Sequence, residues 1–384
     1  MSDAPRVFFY VQHLLGIGHL ARASRIASAL SAAKFAVTLV TGGPPVPGFP
    51  PAGLAQVPLP PVTALDQAFS GLVDLDGNPV DEAYRERRRA ALIAALETCR
   101  PDIVIIEAFP FGRRQMRFEL MPLIAAVEAM EPKPFLLASV RDIVQERVKP
   151  GRHEETAALV ARHFDLVMVH GDPAFAPLEL SFPLAGEIEP KIAYTGLVAG
   201  PAVPPSAERF DVVVSAGGGA AGASLAAAVP DAARRSGSAQ RWLLAAGPNL
   251  PDADYSALER AAPANLTVCR FRRDFPNLLA ACGVSVSQAG YNTVCDVLVA
   301  GCRSVLVPFT AGGETEQAAR AWRLEQLGLA RVLPEQGLTP ALLAEAVDDA
   351  LASGRPQPHA IDLDGAARTA ELLNGLLEAR GGPA

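Results

Sequence analysis

The sequence predicts an α/β protein with two Rossmann-like domains, each a doubly wound parallel sheet, facing each other across a cleft. Strand-like apolar runs alternate with helical patterns along almost the whole chain of 384 residues. The runs are continuously apolar, as in strands covered by helices on both faces of a parallel sheet. The alternation breaks once, between Gly196 and Phe210, where Pro, Gly and Ala dominate, which indicates a linker.

In the first half, apolar runs predict strands at residues 6–11, 36–43, 102–109, 135–142 and 166–173. After the first run, apolar residues at helical spacing predict the first crossover helix: Leu20, Ala23, Ile26, Ala27 and Leu30. A Pro-rich stretch from Gly42 to Pro61 is interpreted as a surface loop near the cleft.

The second half repeats the pattern, with apolar runs at residues 211–219, 241–249, 266–275, 284–290 and 304–310. We therefore expect a first domain at residues 1–197, a linker at 198–209 and a second domain at 210–384. Whether the last helix packs back on the first domain stays open. Open parallel sheets bind ligands beyond the carboxyl ends of their strands, so the site is expected there.

The composition narrows the classes of partner. A formal net charge of -7 and a pI of about 5.5 argue against nucleic acid as the main partner. Two basic segments are interpreted as solvated helix faces, with a peripheral membrane contact left open: Arg85, Arg87, Arg88 and Arg89, and then Arg113 and Arg114. The five cysteines form no CxxC pair and show no Cys/His spacing suited to zinc, so no metal site is predicted.

No signal-peptide pattern opens the sequence, and no apolar stretch is long enough to cross a bilayer. We therefore expect a cytoplasmic protein.

Two glycine patterns match relaxed dinucleotide fingerprints, at residues 16–21 and 217–222. A nicotinamide site also needs a carboxylate at the end of the next strand, and neither 41–43 nor 247–249 offers one. The sequence therefore argues against a nicotinamide-dependent dehydrogenase. Gly217, Gly218 and Gly219 follow a strand directly, which favours a phosphate-binding loop at a helix N-terminus over a simple tight turn.

Polar residues gather after two neighbouring strands of the second half. Residues 288–317, "QAGYNTVCDVLVAGCRSVLVPFTAGGETEQ", resemble the C-terminal nucleotide-sugar signature of GT-B-fold glycosyltransferases. This family includes plant natural-product glycosyltransferases and a bacterial enzyme that adds N-acetylglucosamine to the peptidoglycan lipid intermediate. The resemblance extends over nearly the full length and is not specific to one acceptor.

The resemblance implies that Asn292 and Thr293 bind the donor diphosphate at a helix N-terminus, with Gln288 and Gly290 beside them. Gln288 stands where the plant enzymes have a His, so its contact would be neutral. A helix N-cap is the alternative role for Asn292 and Thr293, and it is compatible with phosphate binding.

The resemblance also implies contacts to the rest of the donor. Asp296 would accept hydrogen bonds from the ribose, and Glu316 and Gln317 would hold hydroxyls of the sugar. Phe271 and Arg272 would flank the uracil. Asp296 is shorter than the Glu usual in the family, which leaves the base open between uracil and thymine. The alternative for Glu316 and Gln317 is a solvent-facing first turn of a helix.

The resemblance also implies a general base in the first half. His19 lies in "QHLLGIGHLAR", where the plant enzymes carry the His that deprotonates the acceptor. An imidazole titrates near neutrality, and a helix N-terminus keeps it neutral. Glu107, at the end of a strand, is the expected orienting partner; Asp142 is the alternative partner and His13 the alternative base.

The expected function is an inverting, metal-independent glycosyltransferase that uses a UDP-sugar, with UDP-N-acetylglucosamine as one candidate, and no cofactor. The acceptor is an unidentified small molecule, glycan or lipid. The segment "GIGHLARASRIASAL" also resembles a motif of a UDP-sugar hydrolase, in which His19 would activate water. An epimerase and a non-catalytic nucleotide-sugar-binding protein also stay open as functions of the same scaffold.

Overall fold

The computed structural model describes residues 4–14, 16–66, 71–145, 150–217, 222–248 and 250–381. The chain divides into two compact units, Met1–Val198 with Ile361–Ala384, and Ala199–Ala360. Residues 199–211 contain no helix or strand.

The first unit is built on a parallel seven-stranded sheet in the order β3-β2-β1-β6-β7-β8-β9. Its strands are β1 (Arg6–Val11), β2 (Ala36–Thr41), β3 (Ala55–Pro58), β6 (Ile103–Glu107), β7 (Phe135–Arg141), β8 (Leu166–His170) and β9 (Ile192–Tyr194). A separate antiparallel pair consists of β4 (Thr63–Ala64) and β5 (Leu72–Val73).

Helices cover both faces of this sheet: α1 (Gly18–Ala32), α2 (Glu82–Cys99), α3 (Arg117–Glu128), α4 (Arg152–His163) and, from the C-terminal segment, α11 (Gly365–Gly381). The apolar residues that predicted the first crossover helix are all buried on α1, as expected. Ala370 and Leu373 of α11 pack into the same apolar cluster as Leu20 and Ile26 of α1. The C-terminal helix is therefore part of the core of the first unit.

The second unit has a parallel six-stranded sheet in the order β12-β11-β10-β13-β14-β15, which is the Rossmann order. Its strands are β10 (Val212–Ser215), β11 (Trp242–Ala245), β12 (Leu266–Cys269), β13 (Val284–Ser287), β14 (Arg303–Leu306) and β15 (Arg331–Val332). Its helices are α5 (Ala223–Arg235), α6 (Asp252–Ala261), α7 (Phe275–Ala281), α8 (Tyr291–Ala300), α9 (Glu316–Gln326) and α10 (Pro340–Ala352). The prediction of two Rossmann-like α/β halves is confirmed.

The Pro-rich stretch is not only a loop, because its second half forms β3 at the edge of the first sheet. Ala55 to Pro58 pair in parallel with Thr38 to Thr41 of β2. Most side chains of β3 are exposed, so the strand is held by backbone pairing and carries no apolar pattern.

Arg88 corrects the interpretation of the first basic segment as a solvated face. Its side chain is completely buried and is hydrogen-bonded to both carboxylate oxygens of Glu119, through Nε and Nη2 at 2.7 Å each. It also donates to the carbonyl oxygen of Gly42 at 3.0 Å and to Oε1 of Gln12 at 2.9 Å. Arg88 therefore ties the loops after β1 and β2 to α2 and α3.

Among the described residues, no helix combines the length and the apolar character that a membrane crossing requires.

Candidate functional site

The N-terminus of α8 lies directly after β13, at the carboxyl edge of the second sheet. Gly290 is the N-cap and provides no side-chain cap, so the alternative role of Asn292 and Thr293 as N-caps is wrong. They occupy the second and third positions of the helix, where backbone N–H groups have no partner within the helix. Asp296 follows one turn later, four residues after Asn292, and thus on the same face of α8.

The glycine loop after β10 approaches this helix. A Cβ atom on Gly217, whose φ is +81°, would lie 2.6 Å from Oε1 of Gln288. The structure thus brings Gly217 and Gln288 together, while Gly218 and Gly219 lie outside the described residues. Gly222 is the N-cap of α5, and a Cβ atom on it would collide with the carbonyl oxygen of Ala216, so no side chain fits there. Gly222 therefore allows the close strand–helix packing that the third glycine of the fingerprint provides.

Glu316 and Gln317 are the first two residues of α9. Glu316 is buried, with 2 % of its surface exposed, which contradicts the alternative of a solvent-facing turn. Its Oε1 accepts a hydrogen bond from Nη2 of Arg320 at 2.7 Å, and Nη1 of Arg320 donates to the carbonyl oxygen of Ala289 at 2.8 Å. Arg320 therefore joins the start of α9 to the loop before α8.

The residues expected to flank the base follow β12. The Phe271 side chain is 60 % exposed, as a platform for a stacking ligand would be. Arg272 donates to both carboxylate oxygens of Asp274, at 2.8 and 2.7 Å, and to Oε2 of Glu208 at 2.8 Å. These hydrogen bonds raise the pKa of Arg272.

In the first unit, His19 and Glu107 are in direct contact. His19 is the second residue of α1, and its Nδ1 lies 2.9 Å from Oε1 of Glu107, at the carboxyl end of β6. His19 is 17 % exposed, whereas Glu107 is completely buried. The same oxygen of Glu107 also accepts a hydrogen bond from Nη2 of Arg22, one turn further along α1.

The other oxygen of Glu107 begins a chain of buried hydrogen bonds. Ser139 Oγ donates to Oε2 of Glu107 at 2.5 Å, so the same Oγ must accept from His170 Nε2, which lies at 2.9 Å. Nδ1 of a neutral His170 then accepts from Thr195 Oγ, at 2.8 Å. This series of hydrogen bonds occupies Oε2 of Glu107, so Oε1 accepts the hydrogen bonds from His19 and Arg22.

The electrostatics keep His19 neutral. Burial, together with the charge of Arg113, lowers the pKa of His19 to about 3, although Glu107 opposes the shift. Burial alone would raise the pKa of Glu107, but Arg22 and the hydrogen bonds from His19 and Ser139 hold it at about 2. With Glu107 ionised, Nδ1 of His19 carries the proton that it shares with the carboxylate, and Nε2 keeps its lone pair.

The alternatives to this pair are placed differently. His13 is buried, its Nε2 lies 3.0 Å from the carbonyl oxygen of Pro44, and its ring packs on Gly43 where a Cβ atom would collide. Burial lowers the pKa of His13. Asp142 is buried, and its Oδ1 accepts from the N–H of Ile143 at 2.8 Å. The carboxylate that contacts His19 is that of Glu107.

The second basic segment is not a solvated face either. Nε of Arg113 donates to the carbonyl oxygen of Gln12 at 2.7 Å, and Arg114 makes an ion pair with Glu155. Arg113 is half-buried.

Sequence reasoning missed Arg22, Ser139, His170 and Arg320. Two of them had a usable signal: Arg22 stands in the Gly-x-Gly-His-x-x-Arg segment, and Arg320 follows Glu316 at the i,i+4 spacing. Within the described ranges, His, Cys, Asp and Glu side chains form no group of three or more that could hold a metal ion.

Residues 212–371 match the model of the glycosyltransferase family 28 C-terminal domain. That range contains all six strands of the second sheet and every predicted donor-side residue from Gly217 to Gln317.

Curated relatives match over shorter ranges. The UDP-N-acetylglucosamine–N-acetylmuramyl-(pentapeptide) pyrophosphoryl-undecaprenol N-acetylglucosamine transferase of Methylorubrum populi is 33% identical over 104 residues, which are 27% of this chain and 27% of the relative. The enzyme of the same name from Methylobacterium nodulans is 32% identical over 146 residues, 37% of this chain and 39% of the relative. The chain thus matches well under half of the length of these relatives.

Solved structures match over nearly the whole chain. The calicheamicin glycosyltransferase CalG4 has a TM-score of 0.65 at 20% identity and covers 99% of this chain and 100% of its own. MurG of Acinetobacter baumannii has a TM-score of 0.55 at 16% identity, and the match covers 97% of this chain and 100% of MurG. VinC, solved with dTDP, has a TM-score of 0.57 at 17% identity, and the match covers 98% of this chain and 100% of VinC. The predicted resemblance to GT-B-fold nucleotide-sugar glycosyltransferases is confirmed, with identities that show the fold alone.

Proposed function

We propose that this protein transfers a sugar from a UDP-sugar to an acceptor hydroxyl, with inversion at the anomeric carbon and without a metal ion. The observation that carries the proposal is the match of residues 212–371 to a glycosyltransferase domain, because every predicted donor-side residue lies in that range. A UDP-sugar, UDP-N-acetylglucosamine, is the donor named for both curated relatives. A thymidine diphosphate donor is the alternative, since VinC was solved with dTDP.

The donor diphosphate would bind at the N-terminus of α8. The first-turn N–H groups donate no hydrogen bond within the helix and point outwards, and together with the helix dipole they favour an anion there; Asn292 and Thr293 lie in that first turn. Gly290 has no side chain that would keep a phosphate away, and no atom of the described residues lies within 4 Å of the position that a Cβ atom would take there. Asp296, on the same face, would accept hydrogen bonds from the ribose hydroxyls.

The acceptor would be activated by His19. Nε2 of the neutral imidazole takes the proton of the acceptor hydroxyl as its oxygen forms a bond to the anomeric carbon. The bond from that carbon to the diphosphate breaks at the same time, and UDP leaves with the electron pair. Attack opposite the leaving group inverts the anomeric carbon. Glu107 would hold the His19 tautomer through Nδ1 and stabilise the imidazolium that forms.

Hydrolysis of the nucleotide sugar is the second candidate. The Gly-x-Gly-His-x-x-Arg segment that resembles a UDP-sugar hydrolase is used as a unit here, because His19 and Arg22 both contact Oε1 of Glu107. In that reaction Nε2 of His19 would take a proton from water in place of an acceptor.

Release of UDP distinguishes these functions. Purified protein is given a panel of UDP- and dTDP-sugars, with and without hydroxyl acceptors, in the presence of a chelator. We expect release that depends on an acceptor and persists with the chelator. Release that needs no acceptor would favour the hydrolase. Nucleotide-sugar binding without any release would favour a non-catalytic binding protein.

The donor assignment is tested by Asp296→Ala. Loss of hydrogen bonds between a carboxylate and the ribose should weaken UDP binding about 10- to 100-fold, measured by calorimetry. Glu345→Ala, an exposed carboxylate on α10, is the matched control and should bind UDP like the wild type. Equal affinity of Asp296→Ala and this control would contradict the ribose contact.

A further inference from the structure

We propose that Arg113, with the positive charge of Arg141 nearby, binds an anionic group of the acceptor, a carboxylate or a phosphate, close to the hydroxyl that receives the sugar. The inference rests on the proposed function and deepens it, because it assigns a chemical class to the acceptor. The two arginines follow β6 and end β7, two neighbouring strands of the first sheet.

The backbone holds Arg113 in an unusual conformation. The loop from Ala108 to Arg113 follows Glu107 and contains two non-glycine residues with positive φ, 66° at Ala108 and 58° at Arg113. Such conformations cost free energy and persist where the surrounding structure enforces them, often at binding sites. The Nε hydrogen bond to the carbonyl oxygen of Gln12 then fixes the direction of the guanidinium group.

The two Nη atoms form the edge of this guanidinium that would hold an anion. Across the part of the chain that the structure describes, Nε makes the one hydrogen bond of the Arg113 side chain, and its two Nη atoms make none. The residue is half-buried, so a ligand can reach the group while water is partly excluded. A planar guanidinium with free N–H groups matches the two oxygens of a carboxylate or a phosphate.

The surrounding charges favour an anion at this position. Arg141 and Arg22 are close enough to Arg113 for their positive charges to lower its pKa, and Glu107 acts in the opposite direction. Glu107 already accepts hydrogen bonds from His19, Arg22 and Ser139. Burial together with the charge of Arg141 lowers the pKa of Arg113 to about 10. Bound negative charge would relieve this repulsion between like charges.

The same charges place the anion near the base. Arg113 is, after burial, the main cause of the lowered pKa of His19. An acceptor anion on Arg113 would offset that effect and make His19 a stronger base once the acceptor is bound. A hydroxy acid or a phosphorylated alcohol would therefore assist its own activation, whereas a neutral alcohol would not.

Paired acceptors test the class of substrate. Turnover is measured with 4-hydroxybenzoate against 4-hydroxybenzamide, and with glycerol 3-phosphate against glycerol, for the wild type, Arg113→Gln and Arg162→Gln. Arg162 is exposed on α4 and provides the same change of charge at a neutral site. We expect kcat/KM for the anionic member to fall about 10- to 100-fold in Arg113→Gln, with the KM of the donor unchanged. The value for the neutral member should not fall, because loss of the Arg113 charge raises the pKa of His19 and makes it a stronger base. Equal use of neutral and anionic acceptors by the wild type would overturn the proposal.

The donor diphosphate is the other source of an anion. If Arg113→Gln instead weakens UDP binding and affects both members of each acceptor pair equally, the anion belongs to the donor and the acceptor assignment is wrong. Arg113→Lys keeps the charge without the two-pronged geometry, and it should recover only part of the lost kcat/KM.

Amide hydrogen exchange tests the anion site without any transfer. Millimolar inorganic phosphate, compared with sodium chloride at equal ionic strength, should slow exchange in the peptides that contain residues 106–116 and 136–145. The effect should be present in the wild type and Arg162→Gln and absent in Arg113→Gln. Identical exchange in all three proteins would overturn the site. A failure of the proposed function, seen as no UDP release from any donor, leaves this measurement valid.

Discussion

Replacing Glu107 with Gln removes one charge from the centre of the buried network without changing its size. The amide nitrogen of Gln cannot face the donors His19 and Arg22, so it must turn to Ser139. Ser139 then accepts from both the amide and His170, and its own hydrogen loses its partner. Arg22, only 2 % exposed, loses its ion pair with Glu107. Removing one partner of a buried ion pair lowers the free energy of unfolding by about 3–5 kcal/mol.

Turnover should suffer as well, because the His19 imidazolium that forms during proton transfer loses its carboxylate. General-base assistance contributes about 10²- to 10⁴-fold, and we expect a decrease in kcat within this range for Glu107→Gln, with UDP affinity unchanged. Ser139→Ala is the matched control: it removes a neighbouring hydrogen bond but keeps the charge, so it should lower kcat about 10-fold or less.

The assays are UDP release, UDP binding by calorimetry and amide hydrogen exchange in β6, β7 and β8. Exchange is required because both tryptophans, Trp242 and Trp322, lie in the second unit and would not report on the first. A Glu107→Gln protein with wild-type kcat would refute the role of the carboxylate.

Three further outcomes are expected. Gly222→Ala pushes a methyl group into the strand-end carbonyl, so it should lower UDP affinity at least about 10-fold, whereas Gly354→Ala, in open space, should not. Glu316→Ala leaves the fully buried Arg320 without its ion pair and should destabilise the second unit by about 3–5 kcal/mol in urea unfolding followed by tryptophan fluorescence; unchanged stability would contradict the pairing. Burial and the charge of Arg22 lower the pKa of His170 to about 3. Below pH 6.5 His170 therefore becomes protonated in the unfolded chain but stays neutral in the folded chain, which favours unfolding. The first unit should therefore lose about 2 kcal/mol of stability between pH 6.5 and pH 5 from this residue, as seen by hydrogen exchange, and equal protection at both pH values would contradict this.

The core strands were predictable because they are buried on both faces and carry continuous apolar runs. The pair β4 and β5, of two residues each, was missed. The strands missed from the two parallel sheets, β3, β9 and β15, are short and lie at sheet edges, with side chains that are mostly exposed or half-buried. Backbone pairing defines these edges, and backbone pairing leaves no trace in the pattern of side chains.

His19 and Glu107 could be predicted as a pair because the family resemblance points to His19 at the start of the first helix, and Glu107 ends a strand, where sheets of this class bind ligands. Ser139 could not, because its place beside Glu107 follows from the register of β6 and β7, in which the two residues are direct partners. His170 enters through the next strand pair, where it is the partner of Arg141. Strand order and register are long-range properties, so a local motif does not contain them.

The buried arginines show the same difficulty. Arg88 stands in a run of exposed basic residues, and its burial depends on Glu119, which lies 31 residues further along the chain. A run of charged residues in a sequence indicates a solvent-exposed helix face, and only knowledge of the buried partner Glu119 would have changed that interpretation for Arg88.

The most direct test of the account compares donor binding and turnover in His19→Ala. We predict that UDP-sugar affinity stays within about threefold of the wild type, because the donor contacts are assigned to the second unit, while kcat falls by about 10²-fold or more. His163→Ala is the matched control, since His163 also pairs with a carboxylate, Glu128, at 2.8 Å. Wild-type turnover in His19→Ala, or an equal loss in both variants, would contradict the assignment of His19 as the base.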